Sequence, residues 1–302
     1  MFFHRRSRGD CPLYRESRVR ICRQWLRALA YCRQDSHVSG TGVTRHTGQV
    51  TQPVPLSAEY FDSWYANMAS SGISDEIQQR HLGLPAHLLS TSLLTWDGIG
   101  DVTRALQMAA GSTLLDLACG RGGYGLEVAR RTGARLIGID FSAEALRQAR
   151  QQAARLGRDA EFRLGDLTAT GLDAESVSGV LCVDAVQFAD PIEASFAEMR
   201  RVLAPGGRAV VTGWEALDPD DERIPARHRQ TNFAVGLAGT GFTAVEVVER
   251  PAWRERERAM WEEAAGLDPG TDPSLQSFHD EGVRVLQTFP LLRRVLAIAA
   301  AP

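Results

Sequence analysis

Short apolar segments alternate with amphipathic helical segments through the middle of this 302-residue chain, and this alternation constrains its fold more than any other feature. Strongly apolar strands separated by helices are typical of a parallel sheet covered by helices on both faces. The sequence therefore predicts an α/β fold. The predicted strands are 112–118, 134–140, 160–166, 178–185 and 208–214, with further strands at 242–250 and 293–301.

Capping and turn residues predict where several of these elements begin and end. Ser74, followed by Asp75 and Glu76, indicates the start of a helix, and Asp190-Pro-Ile-Glu193 has the form of a capping box with proline in the first helical position. APGG at 204–207 predicts a turn before the fifth strand. The predicted helices are 57–69, about 74–83, about 97–110, 122–131, 142–156, 190–203, 227–239 and two within 253–289.

A glycine-rich turn follows the first predicted strand, in LLDLACGRGGYGLEVARR (114–131). Gly120 and Gly122 let the backbone bend sharply and let a ligand approach without a clash with Cβ. The helix that follows offers free N–H groups at its N-terminus. Residues 120–125 also spell GxGxxG, and Asp140 lies 20 residues beyond Gly120. An NAD(P)-dependent oxidoreductase therefore remains an alternative at this point.

Acidic residues stand at the ends of four successive predicted strands: Asp116, Asp140, Asp166 and Asp184. The carboxyl ends of parallel strands are where such sheets bind ligands. A row of carboxylates there suits a ligand rich in donors, such as an ammonium group, a ribose diol and an exocyclic amine. It suits a pyrophosphate less well, which disfavours the dinucleotide alternative.

Together with the LAPGG connection (203–207), these motifs resemble those of class I S-adenosylmethionine-dependent methyltransferases, especially the small-molecule branch called type 11. The resemblance implies a Rossmann-like fold: a mostly parallel seven-stranded sheet with helices on both faces and an N-terminal helical lid. Ala118 departs from the family pattern, which has glycine there. Gln187-Phe188 stands where many relatives carry His-His, so the usual general base is missing.

The same resemblance implies a role for each matched residue toward S-adenosylmethionine. The turn 116–122 would hold the methionine part, with Asp116 near its ammonium group. Asp140 would accept the ribose hydroxyls, and Phe141 would pack beside the adenine. The full set of implied cofactor-binding residues is Tyr60, Asp116, Ala118, Gly120, Gly122, Asp140, Phe141, Asp166, Leu167 and Asp184.

No residue is assigned a catalytic role from the sequence, although three side chains are candidates for a general base or positioning group: His87, His228 and Gln187. No His, Asp and Glu cluster has the spacing of metal ligands, so no metal is expected. The expected reaction is methyl transfer to a small organic molecule by in-line displacement at the sulfonium. A catalytically silent protein that binds the cofactor is a second alternative.

The sequence divides at two points. Residues 1–55 are rich in Arg, Ser and Cys, and three interpretations stay open for them: a disordered leader, a translation start upstream of the true one, or an Arg-rich transit peptide. Residues 56–111 are expected to form a helical cap. Residues 112–302 are expected to form the cofactor-binding domain, with substrate-binding helices within 215–290.

Composition excludes several classes of function. The chain has no lysine, which excludes a Schiff-base or lysine nucleophile. Residues 1–55 carry ten arginines and three acids, whereas the remainder carries 24 arginines and 34 acids, so a nucleic-acid partner is not expected. Five cysteines without a CxxC motif and the absence of a long apolar run indicate a cytoplasmic protein. The oligomeric state stays open, with a homodimer as one arrangement.

Overall fold

A computed structural model describes residues 57–302, so the predictions for residues 1–55 lie outside the described residues. The helices are α1 Ala58–Met68, α2 Ile73–Leu82, α3 Trp96–Leu106, α4 Gly123–Thr132, α5 Ala143–Arg155, α6 Ile192–Val202, α7 Ala226–Arg229, α8 Phe233–Gly239, α9 Pro251–Ala265 and α10 Pro273–Thr288. The strands are β1 Thr113–Leu117, β2 Arg135–Asp140, β3 Ala160–Leu164, β4 Val177–Val183, β5 Leu203–Ala216, β6 Thr243–Glu249 and β7 Leu292–Ala300.

The seven strands form one sheet in the order β3-β2-β1-β4-β5-β7-β6. Strands β1 to β5 pair in parallel, whereas β7 runs antiparallel to both β5 and β6. Two clusters of buried apolar side chains surround the sheet, one containing Leu114 and Leu181 and the other containing Leu115 and Cys182. Neighbouring residues of a strand point to opposite faces, so the two clusters lie on opposite faces of the sheet. Helices cover the sheet on both of these faces. The predicted mostly parallel seven-stranded fold is confirmed.

Strand order reverses direction at β1, which lies between β2 and β4. The chain leaves β1 toward β2 on one side and returns from β3 to β4 on the other side of β1. A crevice therefore opens at the carboxyl ends of these strands. In the register of the sheet, Asp116 pairs with Gly138 and Asp140 pairs with Leu164, so both acids come to the same edge. Helices α1, α2 and α3 lie in the region predicted as a helical cap.

Two predicted helix starts differ from the structure by one residue each. Helix α2 begins at Ile73 after Gly72, and Ser74 is a buried residue of its first turn without a capping bond. The Asp190–Glu193 capping box does not form either. Pro191 has an extended backbone, with a ψ of 155°, and is itself the N-cap. Helix α6 therefore begins one residue later, at Ile192, without a side-chain cap.

Three predicted boundaries also change. Helix α3 ends at Leu106 instead of Ala110, because Gln107 takes a left-handed conformation. The predicted APGG turn is wrong: 204–207 belongs to β5, where Gly206 has a φ of +77° and the pairing with β4 shifts register. The single helix predicted at 227–239 is two helices, because Asn232 caps α8 by accepting a hydrogen bond from the N–H of Val235.

Helices α6 and α8 contact each other closely through two aromatic side chains. Phe196 of α6 and Phe233 of α8 are fully buried, with ring centroids 6.1 Å apart. A Cβ at Gly236 would lie 2.7 Å from Cδ2 of Phe196. The ring of Phe196 therefore occupies the space that a side chain at position 236 would need. No helix within residues 57–302 is long and apolar enough to cross a membrane.

Replacing Gly236 by Ala is expected to lower the free energy of unfolding by about 1–3 kcal/mol, because the added methyl group overpacks the core at Phe196. Denaturant unfolding would measure the change. Gly239→Ala is the matched control in the same helix, since nothing lies within 4 Å of its added Cβ. The smaller side chain of Phe196→Leu should reduce the penalty of Gly236→Ala. Equal stability of the Gly236→Ala and Gly239→Ala variants would contradict this packing.

Candidate active site

The turn between β1 and α4 bends through three residues with positive φ: Ala118 (+58°), Gly120 (+51°) and Gly122 (+77°). The Cβ of Ala118 makes this backbone conformation strained at position 118, whereas the two glycines adopt it without strain. A Cβ at Gly120 would lie 2.7 Å from Oγ1 of Thr91 and 2.9 Å from the hydroxyl of Tyr65. Only glycine therefore allows this turn to lie so close to the residues above it.

Asp140 ends β2 beside this turn and is buried. Its Oδ2 accepts a hydrogen bond from the N–H of Gly120 at 2.8 Å, and its Oδ1 accepts one from the N–H of Ser142 at 2.9 Å. Burial raises the pKa of Asp140 to about 6, against the lowering effect of these N–H donors. Each carboxylate oxygen keeps a lone pair for a further donor.

Asp116 lies near the end of β1 and faces the first turn of α4. Its Oδ2 accepts a hydrogen bond from the N–H of Gly125 at 3.1 Å. The helix approaches so closely that a Cβ at Gly125 would lie 2.9 Å from Cβ of Asp116. Burial and, to a smaller extent, the charge of the nearby Asp140 together raise the pKa of Asp116 to about 7, against the lowering effect of the N–H of Gly125. Two buried carboxylates therefore flank the glycine turn, and a cation beside them would relieve their desolvation.

Helix α1 lies over this region and is held there by polar contacts. Asp62 accepts hydrogen bonds from Oγ of Ser142 at 2.5 Å and from the N–H of Glu144 at 3.0 Å, at the start of α5. Nε2 of Gln148 donates to the carbonyl of Tyr65 at 2.9 Å. The hydroxyl of Tyr65 lies 3.4 Å from Oγ1 of Thr91. The N-terminal helix thus covers the strand ends.

Aromatic rings form a row along the outer side of the same edge. The ring of Phe61 lies 5.1 Å from that of Phe141 and 6.0 Å from that of Phe188, between centroids. Tyr60 lies next to Phe61, at 5.4 Å. Phe141 follows β2 and Phe188 follows β4, so this row, which we call the aromatic rim (Phe141, Phe61 and Phe188), crosses the strand ends from β2 to β4.

Asp166 and Leu167 lie at the next strand end, beyond β3. Asp166 is exposed, and its Oδ1 accepts hydrogen bonds from the N–H and hydroxyl of Thr168 at 2.8 Å and 2.6 Å. Leu167 is half-buried and packs against the core cluster that contains Leu115. Neither residue contacts the pair of buried carboxylates through a hydrogen bond within residues 57–302.

Asp184 has a different environment from the other strand-end acids. Arg294 of β7, which is fully buried, donates two hydrogen bonds to its carboxylate. The hydroxyl of Thr212 donates to Oδ1 at 2.8 Å, and the N–H of Leu93 donates to Oδ2 at 3.2 Å. Asp184 therefore joins β4, β5 and β7 to the segment before α3, and its oxygens are saturated by the protein.

Glu257 of α9 completes this buried group, with its Oε2 3.5 Å from Nε of Arg294. Burial raises the pKa of Glu257 to about 8, and the charge of Arg294 opposes the rise. We name Asp184, Arg294, Glu257 and Thr212 the buried ionic cluster. Its one guanidinium faces two carboxyl groups, so a protonated Glu257 leaves the cluster neutral.

The three candidates for a catalytic role lie in separate places. His87 is exposed and lines a cavity between α4 and α5, with Leu126 and Gln152. His228 lies on α7, where burial lowers its pKa to about 4. Gln187 is buried, and its Nε2 donates to the carbonyl of Asp184 at 2.7 Å. Only Gln187 lies directly beside a strand end.

Several contacts of the site were not predicted from the sequence. Asp62, Tyr65 and Arg294 belong to a helix or strand whose pattern indicates only an amphipathic element. Arg121, inside the glycine turn, is also buried and forms an ion pair with Asp75 of α2 at 2.7 Å. The charged residue within an otherwise glycine-rich turn was the one available signal. Within residues 57–302, no group of three or more His, Cys, Asp or Glu side chains could hold a metal ion.

Comparison with known proteins finds similarity to methyltransferases in the central segment of the chain. Residues 114–207 match the family model described as a methyltransferase domain. The sterol 24-C-methyltransferase ERG6 of Saccharomyces cerevisiae is 30% identical over 129 residues, which are 42% of this chain and 33% of that protein. The chain therefore spans about a third of the length of this curated relative.

Solved structures show the same fold at lower identity. Phosphoethanolamine N-methyltransferase 2 of Haemonchus contortus, in complex with phosphomonomethylethanolamine and S-adenosylhomocysteine, has a TM-score of 0.61 at 18% identity over 79% of this chain and 60% of that chain. The [4+2]-cyclase SpnF has a TM-score of 0.61 at 18% identity over 83% of this chain and 98% of that chain. At this identity the likeness shows a Rossmann-like methyltransferase fold.

Replacing Arg294 by Met is expected to lower the free energy of unfolding by about 3–5 kcal/mol, because it leaves Asp184 buried without its counter-charge. Adding Asp184→Asn to this variant should restore part of the loss, since the uncompensated charge is then gone. Urea unfolding of the single and double variants would measure both effects. Arg158→Met, at an exposed arginine, is the control. An Arg294→Met protein as stable as the control would contradict the role of the cluster.

Proposed function

We propose that this chain, whose residues 114–207 belong to the methyltransferase domain family, transfers a methyl group from S-adenosylmethionine to a small organic molecule. The observation that carries the proposal is the pair of buried carboxylates, Asp116 and Asp140, on either side of a turn that only glycine can form. A cofactor with a cationic amino-acid end and a ribose diol matches this pair in charge and hydrogen bonding.

The residues of the turn fit such a cofactor. Asp116 would hold the ammonium group, because its carboxylate has a single N–H partner among residues 57–302 and is costly to ionise without a cation. Asp140 would accept the ribose hydroxyls with the lone pairs that Gly120 and Ser142 leave free. Ala118, Gly120 and Gly122 would let the backbone approach the cofactor. When bound, the cofactor supplies an electrophilic methyl group on a sulfonium.

The adenine end is proposed to lie at the Phe141 end of the aromatic rim, at the end of β2. Phe141 would pack beside the base, because it follows Asp140 directly. Asp166 and Leu167, at the end of β3, would contact the edge of the base. Tyr60, next to Phe61, would cover the carboxylate of the cofactor from α1. Asp184 would act from beneath the sulfonium through the backbone it holds in place, since its own oxygens are occupied by Arg294 and Thr212.

Methyl transfer needs alignment and a dry site more than it needs acid or base groups. The lid contacts of Asp62 and Tyr65 close the strand ends and so exclude water. His228 is neutral at pH 7, because its pKa is about 4, and it is therefore a weak base. His87 is exposed beside another cavity, and Gln187 carries no titratable group. This supports a substrate whose nucleophile reacts without a strong base from the protein.

The substrate class and setting follow from the same features. The lid and the helices within 215–290 supply partly apolar surfaces, which suit a small organic molecule. The acidic body supports neither a nucleic-acid partner nor a polyanionic surface. Buried free cysteines at 119 and 182 and the absence of any disulfide-forming pair among the described residues support a cytoplasmic protein.

A second candidate function is cofactor binding without methyl transfer. The specific observation is Gln187, whose amide is tied to the carbonyl of Asp184 where many relatives have histidine. Mass spectrometry of a metabolite panel after incubation with S-adenosylmethionine tests the choice. A product heavier by one methylene group supports methyl transfer, and cofactor binding with no such product from any panel member supports the second candidate.

Asp116→Asn is expected to weaken S-adenosylhomocysteine binding by about tenfold or more, because the ammonium group loses its charged acceptor. In the unchanged protein the affinity should rise with pH up to about 7, since a protonated Asp116 cannot pair with a cation and its pKa is about 7. The variant should lose the part of this dependence near pH 7 and keep the part near pH 6, where Asp140 titrates. Equilibrium dialysis at several pH values would measure both.

Asp159→Asn, at an exposed acid outside the site, is the control and should bind as the unchanged protein does. The same dialysis with NADH tests the oxidoreductase alternative. Tighter binding of NADH than of S-adenosylhomocysteine, or equal affinity of the Asp116→Asn and unchanged proteins for S-adenosylhomocysteine, would overturn the proposed cofactor assignment.

A further inference from the structure

Arg227 of α7 lies at the β4 end of the aromatic rim. Its guanidinium carbon is 5.6 Å from the centroid of the Phe188 ring, within the range of a cation–π contact. Phe188 follows β4 and is partly exposed, so Arg227 stands beside the strand end where a substrate would enter. This arginine is therefore part of the edge that holds the candidate active site.

The side chain of Arg227 is half-buried, and among residues 57–302 it has no ion-pair partner. Within residues 57–302, no carboxylate lies within ion-pair distance of it and its nitrogens make no hydrogen bond, while Nε is fully buried. Glu281 of α10 is the nearby acid, but it pairs with Arg284 at 3.8 Å. Burial, together with the charge of Arg284, lowers the pKa of Arg227.

The other buried arginines of the described chain are paired. Arg121 bonds to both carboxylate oxygens of Asp75, and Arg294 bonds to both oxygens of Asp184. An uncompensated guanidinium in a desolvated place destabilises the fold unless an anion joins it. Arg227 therefore has the features of a cation that is held for a ligand.

A second unused polar atom lies beside it. Nδ1 of His228 is buried without a hydrogen-bond partner in the described part of the chain. The imidazole is neutral at pH 7, because burial and the charge of Arg227 lower its pKa to about 4. A neutral imidazole carries one N–H donor and one acceptor, so it can add a hydrogen bond to a ligand next to Arg227 without repelling that arginine.

We propose that the substrate is an amphipathic anion whose carboxylate or phosphate group is received by Arg227, with its apolar part against Phe188 and Phe61. This inference rests on the proposed function, since it identifies the substrate class for that same edge. A guanidinium matches carboxylate and phosphate oxygens in geometry as well as charge. The adjoining rings supply the apolar surface.

Binding of simple amphiphiles to the full chain tests the proposal. The probes are octanoate, octyl phosphate, octanol and octylamine, measured by isothermal titration calorimetry with and without S-adenosylhomocysteine. At least one of the two anions should bind more tightly than octanol and octylamine. Arg227→Gln should weaken binding of that anion by about tenfold or more, with octanol unchanged, because only the anion uses the guanidinium. Which anion binds identifies carboxylate or phosphate as the recognised group.

Arg223→Gln is the matched control, since it removes an exposed arginine that lies four residues before Arg227 and pairs with Asp221. If Arg227→Gln does not fold, Arg227→Lys is the test variant in its place. It keeps the charge but not the planar fork, so its affinity for the anion should fall several-fold. Equal anion affinity of the Arg227 variants and the Arg223 control, or tighter binding of octylamine than of either anion, would overturn the proposal. Failure of S-adenosylhomocysteine to bind would instead overturn the proposed function alone, because the anion titrations need no cofactor.

Discussion

The structure depends on how closely α4 approaches the end of β1. Gly125 has no side chain, so its N–H reaches Asp116 and the carboxylate is enclosed between strand and helix. In the same turn, the N–H of Gly120 donates to Asp140, and the missing side chain of Gly120 leaves room for Thr91 and Tyr65. Two carboxyl groups are thus desolvated at one strand edge, and the pKa of each is raised because burial destabilises its charged form. A sequence that only needed to fold would gain stability by replacing them with apolar residues, which is why the pair indicates a ligand.

The buried ionic cluster gives this edge its rigidity on the opposite side of β1. Arg294 lies on the antiparallel strand β7, 110 positions after Asp184, and its side chain reaches Asp184 at the end of β4. Asp184 in turn accepts the N–H of Leu93, so the segment leading into α3 is fixed to the sheet. The lid helix α1 is fixed separately, through Asp62 at the start of α5. The lid and the floor of the site are therefore held by different contacts.

The sequence predicted the features that arise from local patterns. The glycine turn, Asp116 and Asp140 lie within 27 residues of one another in a strand–turn–helix–strand pattern, and the structure brings them together as expected. It could not predict contacts between distant residues of ordinary amphipathic elements, such as Asp184 with Arg294, 110 positions apart, or Asp62 with Ser142, 80 positions apart. The predicted helix boundaries were wrong at Pro191 and Gln107, where the backbone conformation of one residue sets the end of the helix. The identity of Asp184 was predicted, but not that Arg294 would saturate it.

Charge is distributed unequally along the candidate site, and this asymmetry bears on how two ligands would share it. Among residues 57–302, the β1–β2 side presents two carboxylates that have no ion-pair partner, and the β4–α7 side presents Arg227, which has none either. On the proposals made above, the cationic amino-acid end of the cofactor and the anionic end of the substrate are each drawn to one side and repelled from the other. The sulfonium methyl and the nucleophile then meet between these anchors. Orientation would come from the two ends of the site, so the centre needs only apolar walls and no strong base, which agrees with the absence of a basic histidine beside Gln187.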